Sequence, residues 1–157
     1  MDELPLVHMY TDGACEPNPG SGGWGAILQY KGREREVSGS HPNTTNQRME
    51  MSAVLYGLQA LKVPCRVYVY SDSAYVINFF VQKWYVSWAK NDWMLGKKTK
   101  KRPVANRDLW EALLVENQRH KISWNKVKGH SGHIMNDRAD ELASRAIIRG
   151  EIMSLTS

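Results

Sequence analysis

Cysteine is scarce in this chain of 157 residues, which contains only Cys15 and Cys65. The two do not form a CxxC pair, and neither has enough histidine or cysteine neighbours to make a zinc site. One disulfide between them is possible, but nothing in the sequence supports it. We therefore expect two reduced thiols rather than a fold stabilised by disulfides or by zinc.

Long apolar runs are also missing, and this excludes a transmembrane helix. The first residues, Met1 to Pro5, are acidic and lack the apolar centre of a secretory signal. The hydrophobic fraction of 42% and the charged fraction of 24% are those of an ordinary globular domain. We expect one domain over residues 1–157, with its core at about 6–148 and a flexible tail at 149–157. We also expect a cytoplasmic monomer.

Positive charge is in modest excess, with a formal net charge of +5 at pH 7. Much of it lies in one short run, which contains Lys97, Lys98, Lys100, Lys101 and Arg102. Such a run is typical either of a solvated loop or of a surface that binds a polyanion such as nucleic acid. Both interpretations stay open on composition alone.

The spacing of apolar residues predicts an α/β domain with a mixed sheet. Strands are predicted at residues 6–11, 22–30, 33–39, 66–70 and 121–127. Helices are predicted at residues 47–61, 74–82 and 136–148, with a short one around Trp84 and another from about Asn106. Lys31-Gly32 joins two strands as a hairpin, so this part of the sheet is antiparallel, and the later crossovers make the rest parallel.

Four carboxylates occupy positions at which an isolated acid is disfavoured. Asp12 follows the apolar run of the first strand, and Glu50 lies on the apolar face of the first long helix. Asp72 follows the strand at 66–70, where α/β sheets usually bind ligands, although it could instead be the N-cap of the next helix. Asp140 lies on the apolar stripe of the last helix. That stripe is formed by Ala143, Ser144, Ile147 and Ile148.

Four such acids without four matching buried bases favour a cation site. Oxygen-only ligands suit hard ions such as Mg²⁺, and a cluster of this size can hold two ions roughly 3.5–4 Å apart, the arrangement used for displacement at phosphorus. His130 lies in a glycine-flanked loop, and it is either a mobile proton carrier for this chemistry or an ordinary surface histidine. His133, just before the last helix, is assigned a structural role.

Several short motifs occur in an order that resembles the type 1 ribonuclease H family, in its bacterial form with a basic protrusion. The resemblance covers about residues 6–148 and is specific because the motifs are collinear. The motifs are Tyr-Thr-Asp-Gly at 10–13, Asn-Pro-Gly at 18–20, Gly-Gly-Trp-Gly at 22–25, Thr-Thr-Asn-Gln-Arg-Met-Glu at 44–50, Ser-Asp-Ser at 71–73, Lys-Gly-His-Ser-Gly-His at 128–133 and Asn-Asp-Arg-Ala-Asp-Glu-Leu-Ala at 136–143.

The resemblance implies a five-stranded mixed sheet, with three antiparallel strands followed by two parallel ones, flanked by helices. It implies an endonuclease that hydrolyses the RNA strand of RNA–DNA hybrids with two Mg²⁺ (or Mn²⁺) ions, leaving 5′-phosphate and 3′-hydroxyl ends. Asp12, Glu50, Asp72 and Asp140 then match the catalytic acids that bind the metal. His130 matches the residue that assists product release or proton transfer.

The resemblance also implies a set of substrate-binding residues. Those that match contacts to RNA 2′-hydroxyls and groove edges are Cys15, Asn18, Asn46 and Gln47. Those that match a pocket for a DNA phosphate are Thr45 and Asn106. Those that match the basic protrusion, which holds the DNA strand in some members, are Trp84, Trp88, Trp93, Lys97, Lys98, Lys100 and Lys101.

Two other functions share this fold. A non-catalytic hybrid-binding module would keep the protrusion and lose an acid, and the presence of all four acids argues against it. A transposase-like or integrase-like relative would act on DNA. The Thr-Asn-Gln segment before Glu50 and the loop at His130 favour an RNA strand as the target instead.

Overall fold

The computed structural model describes residues 3–97, 99–129 and 133–156. The strands are β1 (Leu6–Cys15), β2 (Gly20–Tyr30), β3 (Arg33–Thr44), β4 (Arg66–Ser71), β5 (Met94–Leu95), β6 (Arg102–Pro103) and β7 (Lys121–Lys126). The helices are α1 (Asn46–Gln59), α2 (Ala74–Val81), α3 (Trp84–Lys90), α4 (Arg107–Arg119) and α5 (Ile134–Thr156). None of the helices in these ranges combines the length and apolar character that a membrane span requires.

The main sheet has the strand order β3-β2-β1-β4-β7. β2 pairs with β1 and β3 in antiparallel fashion, whereas β4 runs parallel to both β1 and β7. This confirms the predicted arrangement of three antiparallel strands followed by two parallel ones. The hairpin turn is also as predicted: Lys31 and Gly32 both have positive φ, at 46° and 75°, which suits the twist of a two-residue hairpin loop. The small sheet of β5 and β6 was not predicted, because each strand has only two residues.

The sheet separates two layers of helices. Val7, Met9, Val67 and Val69 point from β1 and β4 into the main core, where they meet α1, α2 and α4. The helix α1 comes so close that a side chain at its Gly57 would lie 2.6 Å from the sulfur of Met9. The helix α5 packs on the opposite face, mainly against β2. The sheet edge at the carboxyl ends of β1 and β4 therefore lies between α1 and α5.

The contact between α5 and β2 depends on two glycines. A Cβ atom added at Gly23 would lie 2.3 Å from the carbonyl oxygen of Ala143, and one at Gly25 would lie 2.5 Å from Cβ of Leu142. The residues of α5 that become buried at this contact are Ala139, Ala143 and Ala146. The predicted stripe was therefore wrong for Ser144 and Ile148, which are exposed, because the glycine surface selects the small alanines and turns the helix toward them.

The last helix is also longer than predicted, since α5 continues to Thr156 through most of the predicted tail at 149–157. β3 runs on to Thr44, beyond its predicted end at residue 39, and this provides a surface on which α5 can continue. Gly150 packs against that surface, since a Cβ atom there would lie 2.4 Å from Oγ of Ser40.

We predict that Gly25→Ala destabilises the protein by about 2–3 kcal/mol, because the added methyl group overlaps α5 and forces it off the sheet. Urea denaturation measures the change in free energy of unfolding. The matched control is Gly32→Ala, where φ is +75° and no atom lies within 4 Å of the new methyl group. That variant is expected to lose only about 1–2 kcal/mol, from backbone strain. Equal losses in the two variants would contradict the close packing of α5.

Candidate active site

Asp12 and Asp72 lie side by side because two strands separate there. The parallel pairing of β1 and β4 ends at Tyr10 and Tyr70, which are register partners. Asp12 comes two residues later in β1 and therefore points to the same face of the sheet as Tyr10, and Asp72 directly follows the end of β4. β4 ends at Ser71, whereas β1 continues and pairs Asp12 with Gly25 of β2. β1 is thus longer than predicted. The divergence of β1 and β4 after Tyr10 and Tyr70, called the fork below, leaves room beside Asp12.

Asp72 is not a helix cap, so that alternative is wrong. The N-cap of α2 is Ser73, whose Oγ accepts a hydrogen bond from the backbone N–H of Val76 at 3.2 Å. Ser71 supports the turn by accepting from the backbone N–H of Ser73 at 3.1 Å. The half-buried carboxylate of Asp72 is therefore left to face Asp12 across the fork.

Glu50 reaches the same place from α1. The helix passes directly over β1 at Gly13, where an added Cβ atom would lie 2.4 Å from the backbone nitrogen of Glu50. The hydroxyl of Ser73 donates a hydrogen bond to the Glu50 carboxylate. Burial raises the pKa of Glu50, the Ser73 hydrogen bond opposes this, and the negative charge of Asp72 raises the pKa further. Glu50 thus belongs to the same electrostatic cluster as Asp72.

Asp140 completes the cluster from α5. Asp12, Asp72 and Asp140 line one small cavity at the fork, which also contacts Asn136 and Gly129. Burial and the neighbouring Asp72 raise the pKa of Asp12 to about 8, with Asp140 adding both repulsion and a hydrogen bond. The backbone N–H of Gly13 donates to Oδ1 of Asp12 at 2.9 Å and partly opposes this shift. The structure therefore brings together all four acids that the sequence singled out.

A half-buried group of carboxylates, in which Asp12 and Glu50 have raised pKa values, is chemically suited to a hard divalent cation. Within the described ranges, no three Asp, Glu, His or Cys side chains form a group that could hold a metal ion as they stand. The three aspartates nevertheless share one cavity, and their donors are all oxygen atoms. The chemistry of these donors and their shared cavity therefore suit a magnesium-type site.

A second group of predicted residues forms one rim beside α1. The side-chain oxygen of Asn46 accepts from the backbone N–H of Cys15 at 2.6 Å, and the backbone N–H of Asn46 donates to Oδ1 of Asn18 at 3.2 Å. The Cys15 thiol is buried and donates to backbone carbonyls, including that of Thr44 at 3.3 Å. Gln47 is exposed in the first turn of α1, next to this rim.

Thr45 and Asn106 are connected by an arginine that the sequence reasoning missed. Thr45 is the N-cap of α1 and accepts from the backbone N–H of Arg48 at 3.2 Å. The Arg48 guanidinium donates to Oδ1 of Asn106 at 3.2 Å and to both carboxylate oxygens of Asp108. No local pattern could identify Arg48, because its partners lie far away in the sequence.

The tryptophans of the predicted protrusion pack against the core. Trp88 stands at the centre of this packing, with its ring centroid 5.7 Å from that of Trp84, 5.9 Å from that of Trp93 and 5.4 Å from that of Phe79. All three tryptophans are only partly buried, and they attach α3 and β5 to the domain. The exposed lysines that follow β5 are Lys97, Lys100 and Lys101. Lys98 and His130 lie outside the described residues.

The sequence matches the RNase H family model over residues 5–148. This chain belongs to the ribonuclease H family. The ribonuclease H of Moorella thermoacetica is 54% identical over 141 residues, which cover 90% of this chain and 91% of that protein. The ribonuclease H of Thermoanaerobacter sp. (strain X514) is 51% identical over 148 residues, which cover 94% of each chain.

Solved structures of ribonucleases H share the fold. LC9-RNase H1, described as a type 1 RNase H with the type 2 active-site motif, superposes with a TM-score of 0.80 at 29% identity, over 94% of this chain and 74% of that one. LC11-RNase H1 in complex with an RNA/DNA hybrid gives a TM-score of 0.68 at 21% identity, over 92% and 98% of the two chains. The resemblance found in the sequence is thereby confirmed.

We predict that Asp12→Asn stabilises the metal-free ribonuclease H fold, with a gain of about 1 kcal/mol or more at pH 8. An unfolded chain loses the Asp12 proton near its ordinary pKa of 3.8, whereas the folded chain retains it up to about pH 8. Between these values the folded state binds more protons than the unfolded state, so this group lowers stability as the pH rises. The neutral amide does not titrate and avoids that cost.

Urea denaturation at pH 5 and pH 8 in a buffer with a chelator tests this pH dependence. The stability difference between Asp12→Asn and the wild type is expected to grow toward pH 8. Glu141→Gln is the matched control, because Glu141 follows Asp140 directly but is exposed and paired with Arg145. A stability difference for Asp12→Asn that stays constant or shrinks with pH would contradict the raised pKa of Asp12 in the folded protein.

Proposed function

We propose that this protein is an endonuclease that hydrolyses the RNA strand of RNA–DNA hybrids, using two Mg²⁺ ions and leaving 5′-phosphate and 3′-hydroxyl ends. The observation that carries the proposal is the gathering of Asp12, Asp72 and Asp140 around one cavity, with Glu50 beside Asp72. Membership of the ribonuclease H family supports the same activity, since the relatives that match over most of their length carry that name.

Asp12, Glu50, Asp72 and Asp140 would hold the ions. Bound there, the two ions would lower the pKa of an attacking water and stabilise the leaving oxygen. The chain itself holds the carboxylates in place. The Gly13 N–H orients Asp12, and the Ser73 hydroxyl orients Glu50.

The rim of Cys15, Asn18, Asn46 and Gln47 is proposed to read the RNA strand. Asn46 is already fixed through hydrogen bonds with the backbone of Cys15 and the side chain of Asn18, so the rim is preorganised. Amide side chains and backbone groups can donate to and accept from a ribose 2′-hydroxyl, the group by which a protein distinguishes RNA from DNA at a given site. The rim begins α1, and Glu50 lies one helical turn after Asn46. Recognition of RNA is thus adjacent to cleavage.

The DNA strand is proposed to bind at two further places. Thr45 and Asn106 flank the Arg48 guanidinium, which can add a positive charge to a phosphate pocket at this point. The protrusion contributes the half-buried tryptophans and the exposed lysines Lys97, Lys100 and Lys101, and Lys98 is predicted to join them. Lysines supply affinity for phosphates without reading sequence.

His130 is proposed to move protons or to help product release, as its glycine-flanked position suggests. An imidazole with an ordinary pKa near 6.5 exchanges protons readily at neutral pH. The predicted role depends on the sequence and the family resemblance alone.

We predict that the protein cleaves an RNA–DNA hybrid only when Mg²⁺ is present, and that Asp12→Asn abolishes cleavage while the fold is retained. The assay uses the same sequence as labelled hybrid, double-stranded RNA and double-stranded DNA, each with Mg²⁺ and with a chelator. Extension of the cleaved RNA by a DNA polymerase tests for 3′-hydroxyl ends. Glu141→Gln is the control and is expected to cleave like the wild type.

Full activity of Asp12→Asn would overturn the assignment of the acids. Binding of the hybrid by the wild type without any cleavage would favour the non-catalytic hybrid-binding module. Cleavage of double-stranded DNA at a similar rate would favour a transposase-like activity.

We predict that replacing Lys97, Lys98, Lys100 and Lys101 by alanine raises KM for the hybrid and flattens its dependence on salt. Each lysine that neutralises a phosphate contributes about 0.9 to the slope of log affinity against log salt concentration. The measurement is KM between low and physiological salt. The control replaces Lys31, Lys62 and Lys121, which lie toward the opposite end of the sheet. An unchanged slope in the protrusion variant would show that its lysines only solvate a loop.

A further inference from the structure

Five aromatic rings from three elements form a continuous stack beside the candidate active site. Starting from β4, Tyr68 stacks on His8 with ring centroids 5.2 Å apart, and His8 lies 5.9 Å from Tyr70. Tyr70 stacks on Tyr10 at 4.7 Å, and Tyr10 on His133 at 5.7 Å. The angles between successive ring planes are 16°, 12°, 10° and 28°. The rings therefore stand nearly parallel, each covering a face of the next.

Three of these rings, those of Tyr10, Tyr70 and His133, lie in or next to the elements that position the three aspartates. Tyr10 precedes Asp12 by two residues in β1, and Tyr70 precedes Asp72 by two residues at the end of β4. His133 precedes α5, and its carbonyl accepts the backbone N–H of Asp137 at 2.9 Å, which starts the helix. Asp140 lies two turns later and so on the same side of α5.

Two hydrogen bonds fix the stack on the side of β4. Nδ1 of His8 lies 3.0 Å from the hydroxyl oxygen of Tyr70, which sets the direction of that ring. The hydroxyl of Thr11 donates to the backbone carbonyl of Tyr70 at 3.1 Å, which joins β1 to β4 just where their ladder ends. The position of Tyr70 is thus determined before His133 is considered.

We propose that Tyr10, Tyr70 and His133 form an aromatic clamp that sets the spacing of Asp12, Asp72 and Asp140. The proposal rests on the proposed function, because it assigns these rings a positioning role for a metal-dependent cleavage. None of the three rings contacts the substrate in this role. They act by holding β1, β4 and the start of α5 at fixed distances from one another.

The spacing of the aspartates needs such a device. In the described residues, no backbone pairing connects β1 with β4 beyond Tyr10 or connects either strand with α5. The rings of an offset-stacked aromatic pair attract one another beyond what their burial alone contributes. Two such pairs meet at Tyr10, which therefore links all three elements.

A role in simple core burial does not explain the clamp. Tyr10 and Tyr70 are only half-buried and His133 is exposed, so the rings add little to the apolar core. A stacking platform for nucleic-acid bases does not explain it either, because Tyr10 already stacks on two other rings of the protein.

The test compares variants that keep the ring with variants that remove it. Tyr10→Phe and His133→Phe retain stacking, whereas Tyr10→Leu and His133→Leu remove it but stay apolar. The two readouts are the affinity for Mg²⁺, measured by calorimetry without nucleic acid, and kcat and KM for hybrid cleavage. The leucine variants are expected to bind Mg²⁺ about fivefold more weakly and to lose about tenfold in kcat, because misplaced groups lose reactivity steeply. KM for the hybrid is expected to stay within about twofold of the wild type, since the binding rim lies elsewhere.

The double variant Tyr10→Leu with His133→Leu provides an internal check. If the two rings act through their stack, the second substitution is expected to add little to the first. Tyr30→Leu is the control for the chemical change, because Tyr30 is exposed beside the β2–β3 turn. Because His133 is exposed, its variants are expected to fold, and they test the clamp even if Tyr10→Leu does not fold.

Leucine and phenylalanine variants with the same Mg²⁺ affinity and the same kcat would overturn the clamp. A wild-type protein that binds Mg²⁺ but does not cleave the hybrid would instead overturn the proposed function. In that case the calorimetric comparison still decides whether the rings position the aspartates.

Discussion

The enclosure of several carboxylates at one end of the sheet is the constraint on which the rest of this structure depends. Burial is the main cause that raises the pKa of Asp12 to about 8, and the neighbouring Asp72 and Asp140 raise it further. The carboxylates are kept together because glycines let the elements that carry them approach one another closely, at points where a side chain would hold them apart. Gly13 lets α1 lie on β1, and Gly23 and Gly25 let α5 lie on β2. The local cost at the site is therefore carried by the stability of the whole domain.

The fork in the sheet gives this arrangement its geometry. A strand pair that stayed hydrogen-bonded throughout would place neighbouring carboxylates in one continuous ladder and leave no cavity between them. Here β4 stops at Ser71 while β1 continues with β2, so that Asp12 and Asp72 remain level but a space opens beside them. α5 then covers the β2 side of that space and delivers Asp140. The site is thus a property of where strands end as much as of which residues they carry.

The sequence predicts much of this and misses parts for identifiable reasons. Acids in apolar surroundings identify Asp12, Glu50 and Asp140 without any structure, because period-2 and period-3.6 patterns define which face a residue occupies. Asp72 stayed ambiguous since Ser73, an equally good cap, stands beside it, and only the hydrogen bond to Val76 decides between them. The length of α5 was missed because it depends on the packing of Gly150 against Ser40, which is distant in the sequence.

Contacts between distant segments set the limit of such prediction. Arg48 donates hydrogen bonds from α1 to Asn106 and Asp108 at the start of α4, and the residues near Arg48 in the sequence do not predict these contacts. The aromatic stack also depends on contacts between segments that are distant in the sequence. Alternation in β1 and β4 places His8, Tyr10, Tyr68 and Tyr70 on one face, but only the cross-strand register makes them neighbours. A one-residue slip would separate them from the aspartates.

The helix α1 connects the proposed recognition rim with the proposed catalytic acids. Asn46 at the start of α1 is fixed by the loop from Cys15 to Asn18, and Glu50 follows one turn later against Gly13 and Ser73. A hybrid that moved the rim would therefore also move α1 relative to β1, and Glu50 relative to the three aspartates. Because the contact at Gly13 leaves no space for such a shift, only a substrate whose strand fits the rim as it stands would meet the four acids in their working arrangement. Selectivity for RNA would then arise from the rigidity of one helix–strand contact as well as from the hydrogen bonds to a 2′-hydroxyl.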